Sequence, residues 1–584
     1  MKPYENIAEA IADIGRIYPE NGFVFQDWRG RETEYRFSEV EEDSRRRAAA
    51  LQGIGLRKGD RMGLLVSEPE DFVLTFLAAV RIGVIPVPLS PPFALGGLDT
   101  YLQETTRILT DSDASHLVIS PSLTSLLGDS ADLFLGPWAS LSPAALRNGG
   151  NTPDLPTLAP DDVVFLQYTS GATSHSKGVM VTHAALMANI QAMCGPGLEL
   201  DPRVDIAVSW LPLYHDMGLI GFVIAPMVWG MSSVIIPTMR FMKNPSVWLD
   251  TMHRRGGTIS FAPPFAFGLA VRRARADKLA TWDLSGVRIM GCGSEPIHPR
   301  TLRTFVDLFH KHCGLPENAA LPAYGLAEAT LAVSFKPLRQ RYRTRKVDAE
   351  HFHTARTAIA PSDNGLEIEH VSCGVPFPGH ELAILDEEAI PVPDGEEGEI
   401  CVRGASVTPG YFRNPAATAA SYRDGWLHTG DLGYVLDSQL YVTGRLKDLV
   451  ILNGRNIHPQ LIEWAAGDVA GVRKRNIIAF SRPGDSTEEL VVAVETRLEN
   501  PKALIREIKR AVWGKLGVMT SDVVCVKPGT LPKTPSGKLR RRLTRRRYTA
   551  GQLDRKGPAA LGDTSSRGPE RANLESAPDL GPHG

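Results

Sequence analysis

Tyr168-Thr-Ser-Gly-Ala-Thr-Ser-His-Ser-Lys-Gly178 is the stretch from which the fold is read. Ahead of it, Val163 to Leu166 is a short apolar run of the kind that forms a buried strand. Behind it, Thr182 opens an amphipathic segment as a helix N-cap. A loop of hydroxyls and glycines with one lysine, set after a strand, suits a polyphosphate. Glycines such as Gly171 let backbone N–H groups approach the anion, Thr169, Ser170 and Thr173 offer hydroxyls, and Lys177 adds a point charge. The residue order differs from G-x-x-x-x-G-K-[ST], which disfavours a Walker-type NTPase. Such a cluster also fits a solvated turn, so the reading needs partners elsewhere in the chain.

Outward from this loop the chain alternates strand-like and helix-like stretches. Asp60 to Val66, Val84 to Leu89, Ser115 to Ile119, Asp205 to Trp210, Ser233 to Ile236, Thr258 to Phe261 and Val287 to Met290 read as strands. Phe72 to Ile82, and a segment capped at Ser38 and ending near Gly53 and Gly55, read as helices. This βαβ rhythm predicts an α/β fold, largely parallel, with ligands at the carboxyl ends of strands. After about residue 365, Glu381 to Asp386, Gly398 to Gly404 and Gln439 to Gly444 are short strands between Pro/Gly/Asp turns, which suits a barrel-like antiparallel subdomain over roughly 366–445. Residues 1–445 therefore form the large N-terminal region, with two α/β subdomains and this β subdomain. Residues 446–550, with strands at Ile477 to Phe480 and Glu489 to Glu495 and a helix from Pro501 to Leu516, form a small α+β domain, and 551–584 read as a disordered tail.

The 584 residues carry a net charge of −2, which gives no whole-chain signal for nucleic acid or an anionic membrane. Six scattered cysteines, with no C-x-x-C, suggest neither a disulfide framework nor a zinc site. No apolar run approaches the roughly eighteen residues of a membrane span, and Met1-Lys-Pro-Tyr-Glu5 opens without an apolar segment. A cytoplasmic location is expected.

Four further stretches supply the partners: Leu211-Pro-Leu-Tyr-His-Asp-Met-Gly218, Tyr324-Gly-Leu-Ala-Glu-Ala-Thr330, His428-Thr-Gly-Asp431 with Gly444-Arg445, and Pro532-Lys-Thr-Pro-Ser-Gly-Lys538. In this order, over roughly residues 10 to 550, the chain resembles the adenylate-forming superfamily of acyl-CoA synthetases, peptide-synthetase adenylation domains and luciferases. Ser209 to Gly221, Gly293-Ser-Glu-Pro296, Val371-Ser-Cys-Gly374 and Gly444 to Ile451 are most similar to the fatty acyl-AMP ligases.

The resemblance implies ATP-dependent activation of a medium- to long-chain fatty acid as its acyl-adenylate. Pyrophosphate is released, and the acyl group passes to the phosphopantetheine thiol of an acyl carrier protein or of a carrier domain in a polyketide or peptide synthase. It implies ATP and Mg²⁺ as cofactors. Lys538 bridges the acyl carboxylate and the α-phosphate; Glu328 takes Mg²⁺, as a carboxylate suits a hard cation; Tyr324 and Gly325, with Gly293, Ser294 and Glu295, surround adenine; Asp431, beside Arg445, takes the ribose hydroxyls. His215 gates the acyl carboxylate, and Lys447 is the hinge of a mobile small domain. Ala327 stands where most of the superfamily has threonine, and Thr330 is the nearby hydroxyl that can replace it. Ser174 and Ser176 depart from the usual glycine and proline of the phosphate loop.

An apolar acyl pocket is expected from Trp210, Met217, Met227 and Phe265, with Phe267 beside them. The polar stretch from Arg339 to Gly365 is either a plain surface loop or similar to the segment that restrains domain movement in the acyl-AMP ligases. The alternative activity is a long-chain acyl-CoA synthetase using free CoA. The acidic run Ser481 to Glu489, where CoA-using relatives carry a basic region, disfavours it.

Overall fold

The computed structural model describes residues 4–92, 98–128, 134–150, 152–169, 176–452, 454–484, 488–533 and 538–556. The βα rhythm folds as two parallel sheets. In the smaller, strands Ile85–Pro88, Arg61–Leu65, Ala114–Ile119 and Ala139–Leu141 lie in that order, all parallel. Pro86 and Pro88 fall on its edge strand, where a missing N–H breaks no ladder. In the larger, Gly22–Gln26, Ser232–Ile235, Ile206–Ser209, Ile259–Ala262, Ile289–Cys292 and Ala320–Gly325 run parallel, with antiparallel strands at both edges. Covered on both faces, these strands are apolar nearly throughout; all four residues of Ile289–Cys292 are buried.

The strand expected at Val163 to Leu166 extends to Thr169 and returns antiparallel as Lys177–Thr182. Ser170, Gly171, Thr173 and Ser174 of the expected phosphate loop, between these two strands in sequence, lie outside the described residues. Helix His183–Ala192 follows as expected, Thr182 Oγ1 accepting the Ala185 N–H at 3.2 Å. Ser38, by contrast, is not a cap. Helix Phe37–Gly53 begins one residue earlier, and the Glu39 carboxylate accepts the Arg36 N–H at 2.7 Å.

Downstream, His380–Leu385, Gly398–Gly404, Trp426–Leu436, Tyr422–Arg423 and Gln439–Arg445 form the expected antiparallel sheet. No pairing among the described residues joins His380–Leu385 to Gln439–Arg445, so it is an open sheet. The small domain follows the single turn Leu446–Asp448. Its three-stranded sheet of Val472–Pro483, Glu488–Thr496 and Asp522–Val526 packs with helices Pro459–Gly467, Lys502–Leu516 and Arg541–Thr549. The packed chain runs past 550: Leu553 is buried, and the Lys556 N–H donates to Cys525 O at 2.7 Å. The remainder of the expected tail, 557–584, lies outside the described residues. No described helix is long and apolar enough to cross a membrane.

The stretch 339–365 is not a plain surface loop. Thr344–Asp348 pairs antiparallel with Glu367–Val371, and helix Ala349–Ala355 is capped by Asp348, whose carboxylate accepts the His351 N–H at 2.8 Å. Val347, Ala349, Phe352 and Ala358 are buried in one apolar cluster with Ile457, Ile462, Leu504 and Val518 of the small domain. A few apolar side chains in a polar sequence suffice for this, because each meets a surface supplied from elsewhere.

Candidate active site

A cavity of about 1680 Å³ opens where Ile206–Ser209, Ile289–Cys292 and Ala320–Gly325 end, at their carboxyl ends. Thr169, Lys177, His215, Met217, Phe265, Gly293, Ser294, Glu295, Tyr324, Gly325, Glu328, Asp431, Arg445, Lys447 and Lys538 all line it. Residues far apart in sequence therefore share one space. Gly293 is required there by close approach: a Cβ would lie 2.8 Å from Ala323 O.

On one wall Asp431, only 6% exposed, accepts the Tyr324 hydroxyl at 2.9 Å through Oδ2 and faces Arg445 Nε at 2.9 Å through Oδ1. Asp431 in turn pushes the Arg445 guanidinium up, despite burial, and burial pushes the Tyr324 phenol well up. This is a preformed polar cluster rather than an ordinary turn aspartate.

Opposite it, Glu328 Oε1 accepts the Tyr411 hydroxyl at 2.8 Å. Burial raises the Glu328 carboxyl, with Tyr411 opposing. The Lys177 ammonium lies 4.4 Å from the centroid of the Tyr411 ring, a cation–π contact. Desolvation lowers the Lys177 ammonium, Lys447 adds to this, and Glu328 works against it. Tyr411 is thus a site residue that sequence reading missed, since nothing around it forms a motif. Thr330 does not replace the missing hydroxyl at Ala327. It is fully buried, and its Oγ1 donates to Ser406 O at 2.7 Å.

Lys538 comes from the small domain. Its Nζ donates to Ser294 O at 3.3 Å and to Ser294 Oγ at 3.5 Å. Ser294 is held at φ +72, the left-handed region that non-glycine residues enter at a cost. His215 Nδ1 meets Asp216 Oδ1, which also accepts the Met217 N–H at 2.7 Å. Burial opposes ionisation of Asp216, but His215, the Met217 N–H and Lys538 hold its carboxyl below the usual range. Asp216 is thus a buried anion paired with His215, which the sequence did not single out.

The apolar branch departs most from expectation. Met217 and Phe265 line the cavity, but Trp210 and Met227 do not. Trp210 is stacked on Phe241 with centroids 3.7 Å apart and planes at 8°, edge-on to Trp248 and Phe265, and Met227 is fully buried. Phe267 is likewise core, against Trp248 and Phe305. Large aromatics beside a strand end pack first against one another. The branch is lined instead by Met193, Phe222, Met231, Phe261 and Phe335. Phe222 lies in the π-helical turn Ile220–Ile224, a local widening often found at functional sites.

The chain matches the AMP-binding enzyme family over residues 16–412. It is 36% identical to a Caulobacter vibrioides protein provisionally named an acyl-CoA synthetase, covering 86% of this chain and 88% of that one. It is 34% identical to the Mycobacterium tuberculosis long-chain-fatty-acid–AMP ligase FadD26, covering 85% and 88%. Its fold is similar to a solved fatty acyl-adenylate ligase, from a study of those of E. coli and L. pneumophila, with TM-score 0.88, 32% identity, and coverage of 94% and 98%. With a strand-end cavity that gathers the five sequence motifs, these matches establish that the chain belongs to the AMP-binding enzyme family, among the adenylate-forming fatty acyl-AMP ligases.

Proposed function

We propose that the protein activates a medium- to long-chain fatty acid with ATP and hands the acyl group to the phosphopantetheine thiol of an acyl carrier protein. The observation that carries this reading is the joining of two unlike regions in one cavity. A charged end holds Lys538, Glu328 and Asp431, and an apolar branch is lined by Met193, Phe222, Met231, Phe261 and Phe335. In the first step a carboxylate oxygen bonds to the α-phosphorus, the bond to the β-phosphate oxygen breaks, and pyrophosphate leaves. Positioning and charge neutralisation dominate such a step. Asp431 accepts from the ribose hydroxyls, Tyr324 stacks on adenine, and Lys538 neutralises charge shared by the carboxylate and the α-phosphate.

Glu328 fits a hard cation. The carboxylate accepts the Tyr411 hydroxyl and is supported by its own backbone N–H, and a cation would relieve the desolvation that still raises it. It would hold Mg²⁺, which when bound offsets charge on phosphate oxygens.

In the second step the thiol sulfur bonds to the acyl carbon and AMP leaves. For this the small domain turns about Lys447, within Leu446–Asp448. The apolar cluster shared by the 339–365 segment and the chain after 445 resists that turn for any acceptor, so acyl-AMP persists unless the acceptor itself promotes the turn. The test is product analysis with a panel of fatty acids, ATP and Mg²⁺, with CoA or with a holo carrier protein. Acyl-AMP is expected to accumulate with CoA and to be discharged by the carrier. Acyl-CoA formed as fast as acyl-AMP would transfer the assignment to the CoA synthetases, the class after which the Caulobacter relative is named.

A further inference from the structure

Asp431 does not sit in regular strand. Gly398 pairs with Gly433 and Glu399 with Leu432, but Cys401 then pairs with His428, so Thr429, Gly430 and Asp431 together oppose the single residue Ile400. Such a bulge re-aims a side chain, here toward the cavity, and it leaves backbone donors that need partners. Glu399 supplies one of them. Its Oε1 accepts the Gly430 N–H at 2.9 Å, and its Oε2 lies 2.8 Å from His428 Nδ1, so with a carboxylate accepting, Nδ1 carries the ring proton. Thr429 Oγ1 donates to Ile400 O at 2.6 Å and accepts the Asp431 N–H at 3.1 Å. Gly430, at φ +71, makes the reversal possible.

Glu399, Cys401 and His428 also come together as a metal site would require. Both Glu399 oxygens are already committed to the bulge, however, and burial pushes the Cys401 thiol up to about 12. The group reads as a clamp.

We infer that Glu399 is a positioning residue for nucleotide selection, its carboxylate holding the 429–431 bulge through the Gly430 N–H and the adjoining His428 ring so that Asp431 meets the ribose. This rests on the assignment of Asp431 to the ribose proposed above. The test is pyrophosphate exchange by the full chain with ATP and with 2′-deoxy-ATP. Glu399→Ala is expected to raise KM for ATP about tenfold, the scale of one or two lost buried hydrogen bonds, while kcat and the KM for fatty acid stay within about threefold. Its preference for ATP over 2′-deoxy-ATP should fall toward that of Asp431→Ala, a change that general loosening of the fold would not produce. Glu399→Gln retains an oxygen for the Gly430 N–H and should keep an intermediate preference; it decides the question if the alanine enzyme does not fold. Wild-type preference in the Glu399 variants, with preference lost in Asp431→Ala, overturns the inference alone. Wild-type preference in Asp431→Ala overturns the ribose assignment and the inference with it.

Discussion

Two of the contacts between the chain after residue 445 and the rest of the molecule are unlike. Near the junction, His458 Nε2 lies 2.7 Å from Glu397 Oε1 with both side chains 1% exposed, and Thr443 Oγ1 donates to the same oxygen. Phe352, His353 and His370 are buried with them. At the far end, Lys538 makes two long contacts to Ser294 in the open cavity. The first contact is buried on both sides; the second lies at the cavity, with Arg540 Nη1 close by in sequence and 2.9 Å from Glu104 Oε1.

Breaking the junction should cost the most stability. Glu397→Ala strands His458 in a dry site and is expected to cost about 3–5 kcal/mol, read by denaturant unfolding, where removal of one partner of a buried pair lies. A loss under about 1 kcal/mol would show that the pair holds nothing. Removing the other contact should leave the fold alone. Lys538→Ala should lower adenylate formation at least about 10²-fold, near 2.7 kcal/mol of transition-state stabilisation, with an unchanged melting temperature and little change in KM for ATP. Near wild-type pyrophosphate exchange would remove Lys538 from the chemistry.

Two milder changes act at the junction. A Cβ at Gly444 would lie 2.4 Å from His458 Nδ1, so Gly444→Ala should displace His458 and cost about 1–3 kcal/mol, as overpacking does. Unchanged unfolding would mean that the ring has room to move. The histidines themselves should make stability depend on pH. Burial lowers the His353 ring to about 3 and the His370 ring to about 4. Each is neutral when folded and takes its proton only on unfolding, so their contribution is complete above the unfolded pKa of roughly 6.5 and is lost as pH falls toward 4, at about 1.4 kcal/mol per pH unit per histidine. Replacing both with glutamine should flatten melting temperature between roughly pH 6.5 and 4; an unaltered slope would assign the effect elsewhere.

Much of the charged lining of the cavity was legible in the sequence, because its residues fall in or close to short runs such as Tyr324 to Thr330, His428 to Asp431 and Pro532 to Lys538. The apolar branch was not. Trp210 and Met227 look like pocket residues in sequence, yet they fill the core, while Phe261 and Phe335 reach the cavity from separate strands. Whether an aromatic faces a cavity or its neighbours depends on what packs opposite it, and sequence order does not say.

The α/β class follows from the sequence taken alone, and so does the choice of many of the charged residues that line the cavity, because periodicity and short motifs are local properties of the chain. Packing settled the rest: that Tyr411 serves Glu328, that Thr330 turns away to Ser406, that Glu399 clamps the bulge under Asp431, and that the 339–365 segment shares a core with the small domain. Each is a pairing across long sequence separation, fixed by which surfaces meet once the sheets have packed and by the need of every buried polar group for a partner.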